Sequence, residues 1–288
     1  MTKLLLIRGL GHSGTTILDL ALGAHPQMVG LGEAARILER PAPADGDRGP
    51  ARLRGELRFE RRCTCGAVAA QCPVWGPLLE WLPGHDHWSL AAKMHRLLEG
   101  LERVRDPQQA PPAWVVDSYQ DDFVLPFVQD PKLEIRIVHL TRDVRSWVHS
   151  RARRGREQGR WLPGLRPALR WCRTNARHDR LLQRGPHPVL RVGYEELALE
   201  PEATLKRLCR WLDLDFSEQM LQPGSFSQSH VLSGNRMRFD PERSAAIRYD
   251  NAWMARPSGA AELALAVPWV AELNRRLVYS AAGNARKR

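Results

Sequence analysis

Four apolar residues in a row, Leu4-Leu5-Leu6-Ile7, lead after Arg8 into Gly9-Leu10-Gly11-His12-Ser13-Gly14-Thr15-Thr16. This junction constrains the fold more than any other stretch of the chain. A short apolar run that stops at a glycine-rich turn reads as a strand buried on both faces. Thr16–Leu22 follows with Ile17, Leu18, Ala21 and Leu22 at helical spacing. Pro26 ends that helix, because the residue before a proline avoids the α region. Strand, tight turn and helix in that order open an alternating α/β pattern.

The rest of the chain continues the pattern. Trp114-Val115-Val116, Ile135–Leu140 and Val189–Val192 read as further buried strands, and Pro201 starts a helix carrying a stripe of Leu205, Leu208 and Leu212. No internal repeat interrupts them. The pattern predicts one α/β domain over residues 1–288, a three-layer α/β/α fold around a central parallel sheet. Mobile insertions are expected at 40–62, rich in Pro, Gly, Ala and Arg, and at 155–170.

The first turn has the spacing of a Walker A loop, G-x4-G-K-[S/T], with Thr15 in place of the lysine. Its glycines permit a tight loop whose backbone N–H groups converge on an anion at the helix N-terminus. Gly11, His12, Ser13, Gly14, Thr15 and Thr16 are therefore candidate anion-binding residues. In a nucleotide-hydrolysing enzyme the lysine bridges the β- and γ-phosphates, and a downstream Asp helps hold Mg²⁺. Thr15 carries no charge, and only Asp117 or Asp143 could serve the metal. A P-loop kinase or NTPase acting on a small molecule is thus the alternative reading.

A second anion site is expected in Ile135–Arg154, IRIVHLTRDVRSWVHSRARR. Its strand delivers Arg142 to the C-terminal edge, where open α/β sheets bind ligands. Asp143 is a good N-cap for the next helix. Ser150 lies eight residues beyond Arg142, and Arg154 sits one turn further along the same face.

These two segments resemble the donor-binding motifs of sulfotransferases that use 3′-phosphoadenosine 5′-phosphosulfate (PAPS), bacterial members included. Such a chain has a P-loop NTPase-like sulfotransferase fold. In that family an [R/K]-S-G-T-T loop, followed by a helix ending in His-Pro, holds the 5′-phosphosulfate. Here the corresponding residues are His12-Ser13-Gly14-Thr15-Thr16 and His25-Pro26, with His12 replacing the usual cation and Arg8 a possible compensation. The resemblance implies that Arg142 and Ser150 grip the 3′-phosphate, with Arg154 nearby. It implies an adenine contact for Tyr194, which could equally be a core aromatic, and donor contacts for Asn235, Arg236 and Arg238. It calls for no catalytic metal.

The same resemblance gives Glu33, in Gly32-Glu33-Ala34-Ala35-Arg36, as candidate general base. Tyrosylprotein sulfotransferases carry a similar Gly-Glu-Glu-x-Arg. Counting from His-Pro makes Glu33 the second glutamate, the base; aligning Gly and Arg puts Ala34 there instead. Gln120 stands where the family often has a lysine near the bridging oxygen. With Gln120 neutral and His12 largely so, the leaving-group end is expected to be electrostatically weak, with a rate that falls as His12 loses its proton.

Formal net charge is +11, which draws anions without choosing among them. No nucleic-acid motif accompanies it, so the expected partner is a small-molecule, glycan or peptide acceptor, acidic ones included, and not nucleic acid. The Arg151–Arg173 stretch, with Trp161 and Trp171, reads as a solvated helix face over core tryptophans. No apolar run approaches the roughly 18 residues of a membrane span, and the opening run is too short for a signal peptide. The expected location is cytoplasmic, and oligomeric state is not specified. Five cysteines argue against a secreted disulfide framework. Cys63, Cys65 and Cys72 cluster, but a thiolate zinc site takes four ligands. His85, His87 or another Cys would have to complete one, so free thiols or a local disulfide are expected ahead of structural zinc.

Overall fold

The computed structural model describes residues 3–40, 61–104, 111–152, 164–226, 229–255 and 257–281. Strands β1 (Lys3–Gly9), β2 (Met28–Gly30), β3 (Trp114–Asp117), β4 (Glu134–Thr141) and β5 (Val189–Gly193) form one sheet. Their order is β2-β3-β1-β4-β5. The pairs β1/β3, β2/β3 and β4/β5 are parallel, with Leu4 opposite Val115 and Val138 opposite Leu190. Leu4, Leu5, Leu6 and Ile7 are fully buried, as a two-faced parallel strand requires. Only β2 escaped the sequence pattern, because three residues carry no periodicity.

Helix α1 (Thr15–Gly23) follows the glycine-rich turn. Contacts divide the chain into two compact units. The first comprises residues 1–7, 16–136 and 217–246; the second comprises 8–15, 137–216 and 247–288. In the first, α2 (Ala34–Leu38) and α3 (Trp75–Trp81) both pack on α4 (Leu90–Val104). Trp75 and Trp114 are its largest buried side chains.

The second unit holds α5 (Val144–Ala152), α6 (Leu165–Gln183), α7 (Tyr194–Leu199), α8 (Pro201–Trp211), α9 (Gly259–Leu265) and α10 (Pro268–Val278). Leu10, Val144, Trp147, Val148, Trp171, Leu273 and Leu277 share a core there. Truncating one such leucine to alanine typically costs about 2–5 kcal/mol. Trp171 is thus a core residue, while Trp161 lies outside the described residues. Residues 165–170, expected within the second insertion, are instead the opening turns of α6. An apolar stripe that includes Ala168, Trp171 and Cys172 buries this helix against the core and overrides its arginine-rich composition. Residues 155–163 of that insertion, and 41–60 of the first, lie outside the described residues. No helix among the described residues is long and apolar enough to cross a membrane.

Candidate active site

β1 ends at Gly9 and α1 begins at Thr15, so the turn between them occupies only Leu10–Gly14. His12 has φ 75° and Gly14 φ 93°, flanking Ser13. Left-handed residues alternating with ordinary ones turn successive N–H groups toward one side and form an anion-binding nest. The Trp147 indole donates to the Gly11 carbonyl at 2.8 Å and fixes the near side of the turn. Ser13 is buried and its Oγ has no hydrogen-bond partner. A buried hydroxyl left unpaired costs about 1–3 kcal/mol, so Ser13 is a donor waiting for an acceptor.

Gly14 could not carry a side chain. A Cβ there would lie 2.6 Å from Tyr194 Cδ2. Tyr194 is therefore packed against the turn, and its buried position needs both ends satisfied. Its hydroxyl donates to the Arg248 carbonyl at 3.1 Å and accepts from the Asp250 N–H at 3.0 Å. The Arg142 guanidinium sits 4.5 Å from the centre of the same ring. One tyrosine thus links the turn to the arginine at the end of β4.

Arg142 Nε donates to Ser146 Oγ at 2.6 Å, and Nη2 pairs with Asp250 at 2.9 Å. These partners orient the group and engage two of the five N–H donors a guanidinium offers. Ser146, four residues on, is the hydroxyl that meets Arg142. Ser150 lies one turn further along α5 and is half-buried. Arg154 lies outside the described residues. Asp143 caps α5 as expected, accepting from the Arg145 N–H at 2.9 Å. Arg145 and Asn274 donate to its carboxylate and hold it below the usual carboxylate range although burial opposes this.

The charge missing at His12 comes from an unexpected place. Arg8 is fully buried within β1, whereas Arg151 on α5 donates through Nη1 to His12 Nε2 at 3.0 Å. Since arginine has no acceptor, that ring nitrogen carries no proton in this arrangement. A permanent cation, Arg151, therefore stands beside the turn. Arg151 went unrecognised because it opens the arginine-rich stretch read as solvated.

The first unit assembles a different cluster. Glu33 precedes α2, its N–H donates to the Ser233 carbonyl at 3.1 Å, and its carboxylate pairs with Arg36 at 3.0 Å. Ser233 Oγ lies 3.4 Å from the same carboxylate, a long contact. Ala34 is fully buried. Asp117 at the end of β3 accepts from the Ala35 N–H at 2.8 Å and so holds the first turn of α2. Asp19 was not anticipated, being hidden in the apolar stripe of α1. It is buried, and burial pushes its carboxyl up to about 7, while the Arg238 charge opposes the shift and Asp117 adds to it. Burial also lowers the pKa of Arg238. Arg238 Nε donates to the Asn235 carbonyl at 2.9 Å. Asn235 Oδ1 caps the following turn through the Met237 N–H. The Arg236 side chain lies outside the described residues, and Gln120 is half-buried beyond β3.

Residues 134–218 match the model described as "Sulfotransferase family". Human carbohydrate sulfotransferase 6 is 32% identical over 114 aligned positions, covering 33% of this chain and 29% of the relative. Human carbohydrate sulfotransferase 5 is also 32% identical, over 33% of this chain and 28% of its own length. The sulfotransferase domain from the curacin biosynthetic pathway superposes over 98% of both chains with a TM-score of 0.53 at 16% identity, a likeness of fold. Over residues 134–218 this chain is therefore similar to the sulfotransferase family, and its fold is that of a sulfotransferase domain. The chain spans less than a third of the length of the curated relatives it matches. The matched segment carries Arg142, Ser146, Ser150, Arg151 and Tyr194 but not the glycine-rich turn. The turn is tied in by geometry, through Trp147 and Tyr194.

Proposed function

We propose that this chain transfers the sulfuryl group of PAPS to an acceptor hydroxyl, with a carbohydrate as the first acceptor class to test. An amine, a peptide hydroxyl or another small molecule is the wider field. The observation that carries the reading is the buried, unpaired Ser13 hydroxyl in a turn joined through Tyr194 to Arg142. Two anion-binding parts on one frame suit a donor with two anionic ends. The carbohydrate class comes from the relatives' names alone.

In this reading the turn amides, Ser13 and Arg151 stabilise charge on the 5′-phosphate oxygen as its bond to sulfur breaks. Arg142, oriented by Ser146 and Asp250, holds the 3′-phosphate, and the family resemblance adds Ser150 and Arg154 as further contacts. Asn235, Arg236 and Arg238 belong to the segment that closes over the donor. Glu33 accepts the acceptor proton as the new oxygen–sulfur bond forms, and the electron pair of the broken bond leaves with 3′-phosphoadenosine 5′-phosphate (PAP). No metal takes part.

A kinase or NTPase lacks support at both points it requires. Thr15 supplies no charge, and both candidate metal-binding aspartates are engaged by protein donors. Asp117 accepts from Ala35 and Tyr119, and Asp143 accepts from Arg145, Asn274 and Tyr279. Calorimetry with PAP, ATP plus Mg²⁺, and a DNA duplex separates the classes. PAP alone should bind tightly; preference for ATP with Mg²⁺, or salt-sensitive binding of the duplex, would replace this reading.

A further inference from the structure

Three thiols and an imidazole meet in the first unit at a place the transfer reaction does not use. The Sγ atoms of Cys63, Cys65 and Cys72 and a ring nitrogen of His230 all lie within 4.8 Å of one another. Cys65 and Cys72 sulfurs are 3.8 Å apart, and His230 Nδ1 is 3.4 Å from Cys72 Sγ and 3.8 Å from Cys63 Sγ. We infer that Cys63, Cys65, Cys72 and His230 form a structural zinc site.

The spacing carries the inference. Zinc takes thiolate sulfur at about 2.3 Å and imidazole nitrogen at about 2.0–2.1 Å in a tetrahedron, so donor edges should be about 3.8 Å between sulfurs and about 3.6 Å from sulfur to nitrogen. Three edges, at 3.8 Å between sulfurs and 3.4 and 3.8 Å from sulfur to nitrogen, fall near those values, and all donor atoms lie within 4.8 Å of one another. A disulfide needs sulfurs about 2.05 Å apart, and all five cysteines are free. The sequence could not supply the fourth donor, because His230 is 158 residues from Cys72. The nearer candidate His85 stacks on Trp81 at 4.0 Å, with His87 beyond it.

The backbone is shaped for such an ion. Arg62 and Val68 form an antiparallel bridge, and within it the Cys63 N–H donates to the Ala67 carbonyl at 2.8 Å and the Gly66 N–H to the Cys63 carbonyl at 2.9 Å. Gly66 takes φ 90° at the corner, a conformation that favours glycine. This tight knuckle presents Cys63 and Cys65 together, and Cys72 arrives from the turn before α3. His230 is set by the Trp75 indole, which donates to its carbonyl at 2.6 Å, and by its own N–H, which donates to the Gly30 carbonyl at 3.2 Å. Thr64 fastens both flanks of the histidine, donating to the Ser229 carbonyl and accepting from the Val231 N–H. Three soft thiolates with one imidazole, the four donors of a zinc-finger-type set, select zinc in a structural role.

The consequence reaches Glu33. His230 lies three residues before Ser233, whose carbonyl accepts the Glu33 N–H. The ion would therefore fasten the segment that positions Glu33, and its loss should loosen that segment. The site stands apart from the transfer reading: zinc could be present in a chain that moves no sulfuryl group, and the converse.

Elemental analysis of the full chain, purified without a metal-binding tag from zinc-supplemented cells, tests the inference. One zinc per chain is expected. Cys72→Ser and His230→Ala should lose it, while His230→Cys, which restores a four-thiolate set, should keep it. Cobalt exchanged into the site should show thiolate-to-cobalt charge-transfer absorption. If Cys72→Ser fails to fold, the parent stoichiometry and the His230→Cys variant still decide. Folded parent protein without metal, iron in place of zinc, zinc retained after Cys63→Ser with Cys72→Ser, or an intact mass two hydrogens low from a disulfide would each overturn it.

Discussion

The glycine-rich turn and the carboxylate cluster show two ways of preparing a site. In the second unit, donors are left wanting an acceptor: Ser13 Oγ is buried without a partner, and Arg142 has only two of its five donors engaged. In the first unit, charge is crowded instead. Asp19, Glu33, Asp117, Arg36 and Arg238 act on one another at short range, and burial shifts Asp19 and Arg238 toward their neutral forms. On the proposed function the contrast is a division of labour, the turn taking the donor's anion and the cluster the acceptor's proton. If so, damage to the cluster should change rate and pH response, and damage to the turn side should change donor affinity.

The strongest way to break that contrast is Glu33→Gln. Loss of a general base costs about 10²–10⁴-fold in rate, and PAP affinity should stay within twofold of the parent. A variant that still transfers at the parent rate would remove Glu33 as the base.

Asp19 tests the cluster through stability. Its carboxyl, near 3.8 when unfolded, rises to about 7 in the fold, so between those values the folded chain holds more protons than the unfolded one. Stability should therefore fall as pH rises from about 4 through about 7, by at most about 4 kcal/mol from this group. Asp19→Asn keeps the shape, and its stability relative to the parent should improve as pH rises across that window. Glu195, also pushed up to about 7 by burial, leaves a residual slope of the same sign. Urea unfolding at pH 5 and pH 8 reads the difference; a parent–variant gap equal at both values would show that Asp19 ionises as freely as in the unfolded chain.

Legibility in the sequence follows the same divide. The turn, Arg142 and the strands that carry them are local patterns: an apolar run, glycines at fixed spacing, an arginine at a strand end. Glycines at 9, 11 and 14 permit the tight turn locally. Ser146 and Arg151 are local too, but on a helix surface many serines and arginines share the same spacing, and only packing selects these. Asp19 sits in an apolar stripe, where an acid reads as an interruption rather than a feature. Its environment comes from Gly32, Ser118 and Arg238, which lie on three separate stretches of chain. His230 as a partner of Cys72 is the extreme case, since sequence spacing says nothing about a contact closed over 158 residues.

On the turn side, Arg142→Ala should weaken PAP binding about 10- to 150-fold, the equivalent of one charge-assisted hydrogen bond at about 1.5–3 kcal/mol. Arg142 also packs on Tyr194, so Arg142→Lys serves as a second variant. It keeps the charge but not the planar fork, and should fall between the parent and Arg142→Ala. Unchanged affinity in both variants would remove this residue from the donor site and merge the two halves of the comparison.

The smallest effect is the most discriminating about how the turn is charged. His12 and Arg151 stand together, yet only the arginine keeps its charge across the neutral range. With Arg151 present, the rate attributable to the turn should vary little over the pH range in which histidines titrate. Arg151→Ala should lower transfer by about tenfold, one charge-assisted hydrogen bond at the lower end of its range. It should also leave His12 as the nearest titratable donor, so that the remaining rate falls as pH rises through that range. A parent enzyme that already shows this fall would mean that the histidine charges the turn and the arginine only positions it. Measuring transfer rates of both proteins against pH, with donor saturating, separates the two.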